Sequence, residues 1–217
     1  NYYGLAGKNN ERTRCYDALD ASLAVMSNTD IETSFVYGAE LRYRFAEDKY
    51  RSASDLYLVE NLAGVDAFVG PVFKNGHKVV FDFGGEMASY RSFRNFTAGK
   101  FYVTPHYVLR KGRWFVDAGV RVDMVLTSSR NPGNMFSAGS QQYAYPDVKI
   151  SFAAIRDAMN IYTAVTGGTK MNTYASVLAD DHYADMTYDH VIGTDVERVC
   201  AELGFKGRIS RRFSYDL

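Results

Sequence analysis

Apolar and polar residues alternate strictly over long stretches of this chain. In the clearest stretch, from Ile31 to Phe45, the odd-numbered residues are mostly apolar or aromatic and the even-numbered ones mostly polar or small. A repeat of two is that of an extended strand, because a helix would mix both sets on every face. At about 3.3 Å per residue such a strand is about 50 Å long, whereas strands of soluble proteins usually stop within about ten residues.

Similar alternation recurs in residues 79–91, 101–110, 114–127 and 198–206. Together with two less regular segments, it predicts nine nearly complete strands and a partial strand at each end. The predicted strands start near residues 14, 31, 55, 78, 100, 114, 144, 159 and 194. We expect no helix of three turns or more; residues 176–183 are expected to form at most one helical turn inside a loop.

The predicted connections alternate in length. Tight polar breaks lie at residues 28–30, 74–77, 111–113 and 156–158, and longer polar stretches lie at residues 46–55, 92–99, 128–143 and 167–193. Asn75-Gly76 is the strongest hairpin signal, because both residues tolerate the positive φ of a tight turn. Short turns at one end and long loops at the other are typical of an outer-membrane barrel.

These patterns predict an all-β fold, an antiparallel up-and-down transmembrane β-barrel or part of one, with about 10–12 strands. We expect a single domain over residues 1–217 that is a fragment truncated at both ends, because Asn1 and Leu217 fall inside strand-like segments. Such a piece is not expected to close a barrel by itself. Strands from residues beyond the ends, or from other outer-membrane chains, would have to complete it.

Composition narrows the function classes. Tyr and Phe, 17 and 14 residues, favour strands, and Tyr suits a membrane–water boundary. Lys plus Arg and Asp plus Glu are 25 each, so the chain lacks the cationic excess that nucleic-acid binding needs. No apolar run of about 18 residues exists, which leaves strands as the means of crossing a membrane. The expected location is the cell outer membrane of a Gram-negative organism, with lipid as a partner.

Two neighbouring motifs carry a family resemblance. Tyr145-Pro146-Asp147-Val148-Lys149-Ile150-Ser151 is followed after a short turn by Asn160-Ile161-Tyr162-Thr163, and Thr173-Tyr174-Ala175-Ser176 lies in the next long loop. This arrangement resembles the barrel portion of TonB-dependent-receptor-like outer-membrane proteins of the Bacteroidota. The resemblance implies transport or receptor function. The family's N-terminal plug has no counterpart in this sequence, so active uptake is not expected of this piece alone.

Charged residues of both signs fall on the parity predicted to face the lumen. They form either a structural ladder of cross-strand ion pairs or a selectivity lining. The expected polar ladder comprises Glu32, Glu40, Arg42, Arg44, Asp82, Glu86, Asp117, Arg121, Asp123, Arg198, Glu202 and Lys206. On the opposite parity, we expect Phe35, Tyr37, Leu41, Phe81, Phe83, Val116, Val120 and Val122 to face lipid.

Other chemistry is weakly indicated. A loop cluster of Asp181, His182, Asp185, Asp189 and His190 offers metal-binding donors, but its spacing matches no defined ligand motif, so no metal or other cofactor is expected. No catalytic residue is assigned. His106 lies on the lumen parity, and Ser34, Ser89 and Ser151 are the serines that a barrel hydrolase would pair with it.

Three functional classes follow. The leading hypothesis is an outer-membrane barrel of transport, receptor or structural class. The second is a soluble β-sandwich or lipocalin-like ligand-binding module, since a sandwich also alternates in polarity. The third is an outer-membrane barrel lipase or deacylase.

Overall fold

The computed structural model describes residues 2–5, 12–27, 34–51, 56–73, 77–92, 95–130, 136–155, 158–180, 194–210 and 213–216. This part of the chain forms eleven strands and one short helix. The strands are β1 (Tyr2–Leu5), β2 (Arg12–Met26), β3 (Phe35–Arg51), β4 (Leu56–Pro71), β5 (Lys78–Arg91), β6 (Phe96–Lys111), β7 (Trp114–Arg130), β8 (Phe136–Ile155), β9 (Met159–Met171), β10 (Thr194–Ser210) and β11 (Phe213–Asp216); the helix is α1 (Tyr174–Asp180).

All eleven strands belong to one sheet in which each strand pairs with the next along the chain, from β1 to β11. Every pairing is antiparallel. This confirms the predicted up-and-down architecture. Among the described residues no ladder joins β1 to β11, so the sheet is open, as part of a barrel would be. In the described ranges no helix has the length and apolar character needed to cross a membrane.

Two predicted loops are largely strand. Residues 46–51 continue β3, and both β7, to Arg130, and β8, from Phe136, extend into the stretch predicted as a loop over residues 128–143. These extensions are polar on both faces, so the alternation that marks a strand is lost, although the backbone pairing continues. The predicted tight turn at Asn75-Gly76, and the predicted strand start at Ile31, lie outside the described residues.

The two faces of the sheet differ in polarity. On one face Phe35, Tyr37 and Val120 are 48%, 52% and 52% exposed, and Leu41, Phe81, Phe83 and Val122 are also exposed. On the other face lie ion pairs, described below. Hydrogen bonds on that polar face connect β9 to β6 and β7 and the start of α1 to β3 and β4. The polar face is therefore concave and the apolar face convex.

Aromatic side chains gather at the short-turn end of the sheet. Gly112 has a φ of 61° in the tight turn between β6 and β7, a conformation that favours glycine. Just beyond it the Trp114 and Phe152 rings contact at a centroid distance of 4.7 Å. His77 and Tyr107 form a second pair. Exposed aromatic residues in such a band are typical of the boundary between membrane and water.

The pairing between β8 and β9 ends about halfway along β8. Their last rung joins Asp147 to Thr166, and β8 continues beyond it paired only with β7. Pro146, the next residue of β8, has no N–H to donate. Gly167 and Gly168 follow Thr166 on β9, and a Cβ on Gly167 would lie 2.6 Å from the Arg198 carbonyl oxygen and 2.8 Å from the Tyr145 ring. At Gly167 the backbone therefore passes so close to β10 and to Tyr145 that only glycine fits.

Residues 167–180, which we call the strap, cross this face. Thr173 begins helix α1, because its Oγ1 accepts the Ser176 N–H at 3.2 Å, as an N-cap residue does. Met171 and Tyr174 are buried against Leu58, Ala88, Tyr90 and Ala98. This small apolar cluster lies on the long-loop side of the sheet, far from the aromatic band.

Candidate functional site on the concave face

At the short-turn end, His106 lies between two carboxylates. Its Nδ1 is 2.7 Å from Asp117 Oδ1. Its Nε2 is 3.1 Å from Asp82 Oδ2, but out of line for a hydrogen bond. The register explains the meeting, because Asp82 pairs with Thr104 and Gly119 pairs with His106, which places the side chains of Asp82, His106 and Asp117 on the same face of the sheet. No serine hydrogen-bonds to this imidazole among the described residues, so the arrangement expected of a hydrolase is not formed there.

In the middle of the sheet, one polar network joins side chains of four strands, β3, β4, β6 and β7. Arg42 on β3 pairs with Asp66 on β4, and the Tyr102 hydroxyl on β6 donates to Asp66 Oδ1 at 2.5 Å. The Arg121 guanidinium on β7 lies 4.2 Å from the centroid of the Tyr102 ring, a favourable cation–π geometry.

The network ends at a buried carboxylate. Asp123 is 0% exposed, and burying a charge is costly unless its oxygens are paired. Here Arg121 Nε donates to one oxygen at 2.7 Å, and the Thr169 backbone N–H of the strap donates to the other at 2.8 Å. Asp123 therefore connects the strap to β7 of the sheet.

A glycine makes room for this network. A Cβ on Gly84 would lie 2.6 Å from Asp66 Oδ1 and 2.8 Å from Tyr102 Cε1. Both distances are far below contact distance, so any side chain at this position would displace the Asp66–Tyr102 hydrogen bond.

Two further ion pairs extend the ladder. Arg44 on β3 pairs with Asp20 on β2. Lys100 on β6 lies 3.0 Å from Glu86 Oε1 on β5 and also donates to the Thr169 carbonyl of the strap at 3.0 Å. Thr169 is therefore held through its N–H by Asp123, through its carbonyl by Lys100 and through its hydroxyl by Tyr145.

At the long-loop end two buried carboxylates accept hydrogen bonds from the first residue of α1. Glu60 Oε2 accepts the Tyr174 backbone N–H at 2.6 Å, and the Tyr174 hydroxyl donates to Asp48 Oδ2 at 2.6 Å. The Tyr90 hydroxyl points at the Glu60 carboxylate, but the geometry is too poor for a full hydrogen bond, so it and Glu60 Oε1 lack well-formed partners. Asp48, Glu60 and Tyr90 are at most 1% exposed.

The cluster of Asp48, Glu60 and Tyr90 lies nearer the long-loop end than most of the exposed apolar residues of the convex face do. The convex face beside Glu60 is polar, because Asn61 pairs there with Ser89 and Val59 with Arg91. Burial raises the pKa of Glu60, although the backbone N–H groups of Tyr174 and Ala175 counteract the shift. Burial beside Glu60 likewise raises the pKa of the Tyr90 hydroxyl. Tyr90 consequently stays a protonated donor.

An open polar groove of about 520 Å³ runs along the concave face of β2 to β5. Its lining carries both signs of charge and includes Asp20, Glu40, Arg42, Arg44, Leu62 and Glu86. The groove can therefore contact a polar solute with both donors and acceptors.

The remaining predicted ladder residues are less tightly engaged. Lys206 lies 5.4 Å from the centre of the Tyr162 ring, and Glu202 accepts the Thr163 hydroxyl through its backbone carbonyl. Arg198 falls in a register shift of β10 between Glu197 and Cys200. Glu32 lies outside the described residues, as do the weak metal candidates Asp181, His182, Asp185, Asp189 and His190.

Sequence reasoning missed part of this site. Asp20, Asp66 and Lys100 complete ion pairs of the expected ladder, and their signal was charge on the lumen parity of a neighbouring strand. Asp48, Glu60 and Tyr174 have no such signal in common, because their contacts join residues 114 and 126 positions apart. In the described part of the chain, no group of three or more His, Cys, Asp or Glu side chains is arranged to hold a metal ion.

No protein-family model matches the sequence, and no curated protein matches it. Among solved structures the chain is similar to the ferric citrate transporter FecA in its unliganded form, with a TM-score of 0.61 and 13% sequence identity. The similarity covers 90% of this chain but only 33% of the transporter chain. At this identity the likeness shows a shared fold over that part of the transporter chain.

Proposed function

We propose that this chain forms part of the wall of an outer-membrane barrel of transport or receptor class, resembling the TonB-dependent receptors. One observation carries the proposal. A single curved sheet exposes apolar and aromatic side chains on its convex face and holds paired charges on its concave face. Lipid outside and a polar lumen inside require this distribution.

The soluble alternatives require other arrangements. A β-sandwich buries one face of each sheet against a second sheet, but the described strands form one sheet. A lipocalin-like barrel in solution presents its convex face to water, whereas the convex face here exposes large apolar side chains such as Phe35, Leu41 and Phe83. Likeness to a transporter barrel also supports transport over binding in solution.

Because the charged residues of the concave face have both signs, they favour a structural role and a lumen of mixed polarity. They do not favour a pore that strongly selects one kind of ion. Arg42–Asp66, Arg44–Asp20 and Lys100–Glu86 neutralise one another across strands. A strongly selective pore presents a ring of one sign. We propose that the lumen handles a polar solute with groups of both signs.

An arginine on the convex face tests the membrane location. Val120→Arg in the full-length protein is expected to cost about 2–4 kcal/mol, because the charge must enter hydrocarbon. The measurement is the amount of folded protein recovered in the outer-membrane fraction, together with the free energy of unfolding in lipid vesicles.

Ser89→Arg is the matched control, since Ser89 is exposed on the same face but lies two residues from Arg91, at the polar margin. Its expected cost is about 0–1 kcal/mol. Equal recovery and stability of the two variants would show that Val120 does not face lipid.

A further inference from the structure

We propose that the strap, which reaches from β9 across the concave face to β3 and β4, closes the lumen at the long-loop end, and that Glu60 and Asp48 hold it there. Its release would admit solvent from that end to the polar groove. The inference rests on the proposed function, because only a lumen needs a closure.

The strap has a hinge. After the Asp147–Thr166 rung, β9 is no longer paired to β8, and its backbone ladder continues only with β10, up to the Met171–Thr194 pair. Gly167 and Gly168 stand at this point of divergence, next to Pro146 on the strand that β9 leaves. Side chains of β6, β7 and β8 hold Thr169. Once those contacts are released, a segment that leaves β8 at a pair of glycines can move without breaking the rest of the ladder.

The strap also has a latch. Glu60 of β4 accepts the Tyr174 N–H, and the Thr173 hydroxyl accepts that of Ser176. Two donors at the start of α1 are therefore satisfied, one of them by a distant carboxylate. A helix of seven residues is unstable alone, so α1 and its docking on Glu60 form together.

The latch adjoins the long-loop end of the groove. Leu62 packs against the apolar cluster around Met171 and Tyr174 and also lines the polar groove. Arg44, another residue of the groove lining, is one of the charges acting on Glu60. The docked strap therefore borders this end of the groove, and undocking would expose Leu62 from the long-loop side.

Backbone hydrogen exchange in the full-length protein tests the latch. Glu60→Ala removes the acceptor of the Tyr174 N–H, so the amides of residues 174–177 should exchange about tenfold faster. Glu40→Ala is the matched control, because Glu40 lines the same groove but bonds no strap residue among those described. Equal exchange in the wild type and Glu60→Ala would overturn the latch. Should Glu60→Ala fail to fold, Tyr174→Phe removes only the hydroxyl that reaches Asp48 and should accelerate the same amides.

Thiol labelling in whole cells tests the closure. Leu62→Cys is introduced into a variant in which the two free cysteines, Cys15 and Cys200, are replaced by Ser. The thiol is then labelled with a membrane-impermeant maleimide. Adding Glu60→Ala should raise the labelling rate about tenfold, whereas adding Glu40→Ala should leave it unchanged. An unchanged rate with Glu60→Ala would show that the strap covers nothing.

A labelling control at Ser140 distinguishes failure of the proposed closure from failure of the proposed function. Ser140 is exposed near the long-loop end of β8, so Ser140→Cys should label rapidly in intact cells. If Ser140→Cys is labelled but Glu60→Ala leaves the labelling rate of Leu62→Cys unchanged, only the closure is wrong. If Ser140→Cys is protected in intact cells but labels after lysis, the outer-membrane assignment itself is wrong, and hydrogen exchange still decides the latch.

Discussion

Single side chains on the concave face are positioned by the neighbours that strand pairing provides. Asp123, fully buried, keeps its charge satisfied only because Arg121 lies on the same strand and the Thr169 N–H arrives from the strap. Parity alone predicted that Arg121 and Asp123 share the inward face. The Thr169 contact could not be predicted, since it depends on how β9 bends.

Gly84 is expected to be the least replaceable residue of the central network. In Gly84→Ala the new Cβ would meet Asp66 and the Val65 carbonyl oxygen at 2.6 Å, and such overpacking costs about 1–3 kcal/mol. Gly64→Ala on the neighbouring strand is the control, because its nearest neighbours would be at 3.7 Å. Denaturant unfolding in lipid or detergent measures both, and equal stability of the two variants would contradict the crowded network.

At the scale of elements, period-two patterning predicted most strands well. β4, β5, β7, β9 and β10 begin within one residue of the predicted starts. β8 begins eight residues earlier than predicted, because its outer half is polar on both faces and the sequence there resembles a loop. The short helix also differs in position, starting at Tyr174, where Thr173 and a remote Glu60 cap it.

The divergence of β8 and β9 should depend on one of two adjacent glycines. Gly167→Ala places a Cβ 2.6 Å from the Arg198 carbonyl oxygen, whereas the nearest atom to a Cβ on Gly168 is Arg121 Nε at 3.8 Å. We expect Gly167→Ala to lose about 1–3 kcal/mol and to loosen the strap, and Gly168→Ala to leave both nearly unchanged. Hydrogen exchange of residues 169–177 reports the difference. Loss of protection in Gly168→Ala alone would contradict the hinge.

At the scale of the whole molecule, the same alternation that forms each strand sorts charges and apolar groups onto opposite faces of one curved sheet. The sequence predicted this sorting because parity is a local property. It did not predict the curvature that brings β9 opposite β6 and β7 and α1 opposite β3 and β4, which arises from contacts between elements far apart in the chain. The resemblance to TonB-dependent receptors and the likeness to a ferric citrate transporter agree at the level of the barrel.

The most direct test of the central claim is an accessibility scan along β7. Nitroxide labels at each residue from Phe115 to Asp123, in the full-length protein in lipid vesicles, are probed with oxygen, which concentrates in hydrocarbon, and with a water-soluble nickel chelate. The even-numbered positions, including Val116, Val120 and Val122, should collide mainly with oxygen, and the odd-numbered positions, including Asp117 and Arg121, should show little oxygen access. A scan without this period, or with nickel access dominating at Val120 and Val122, would contradict a convex face in lipid.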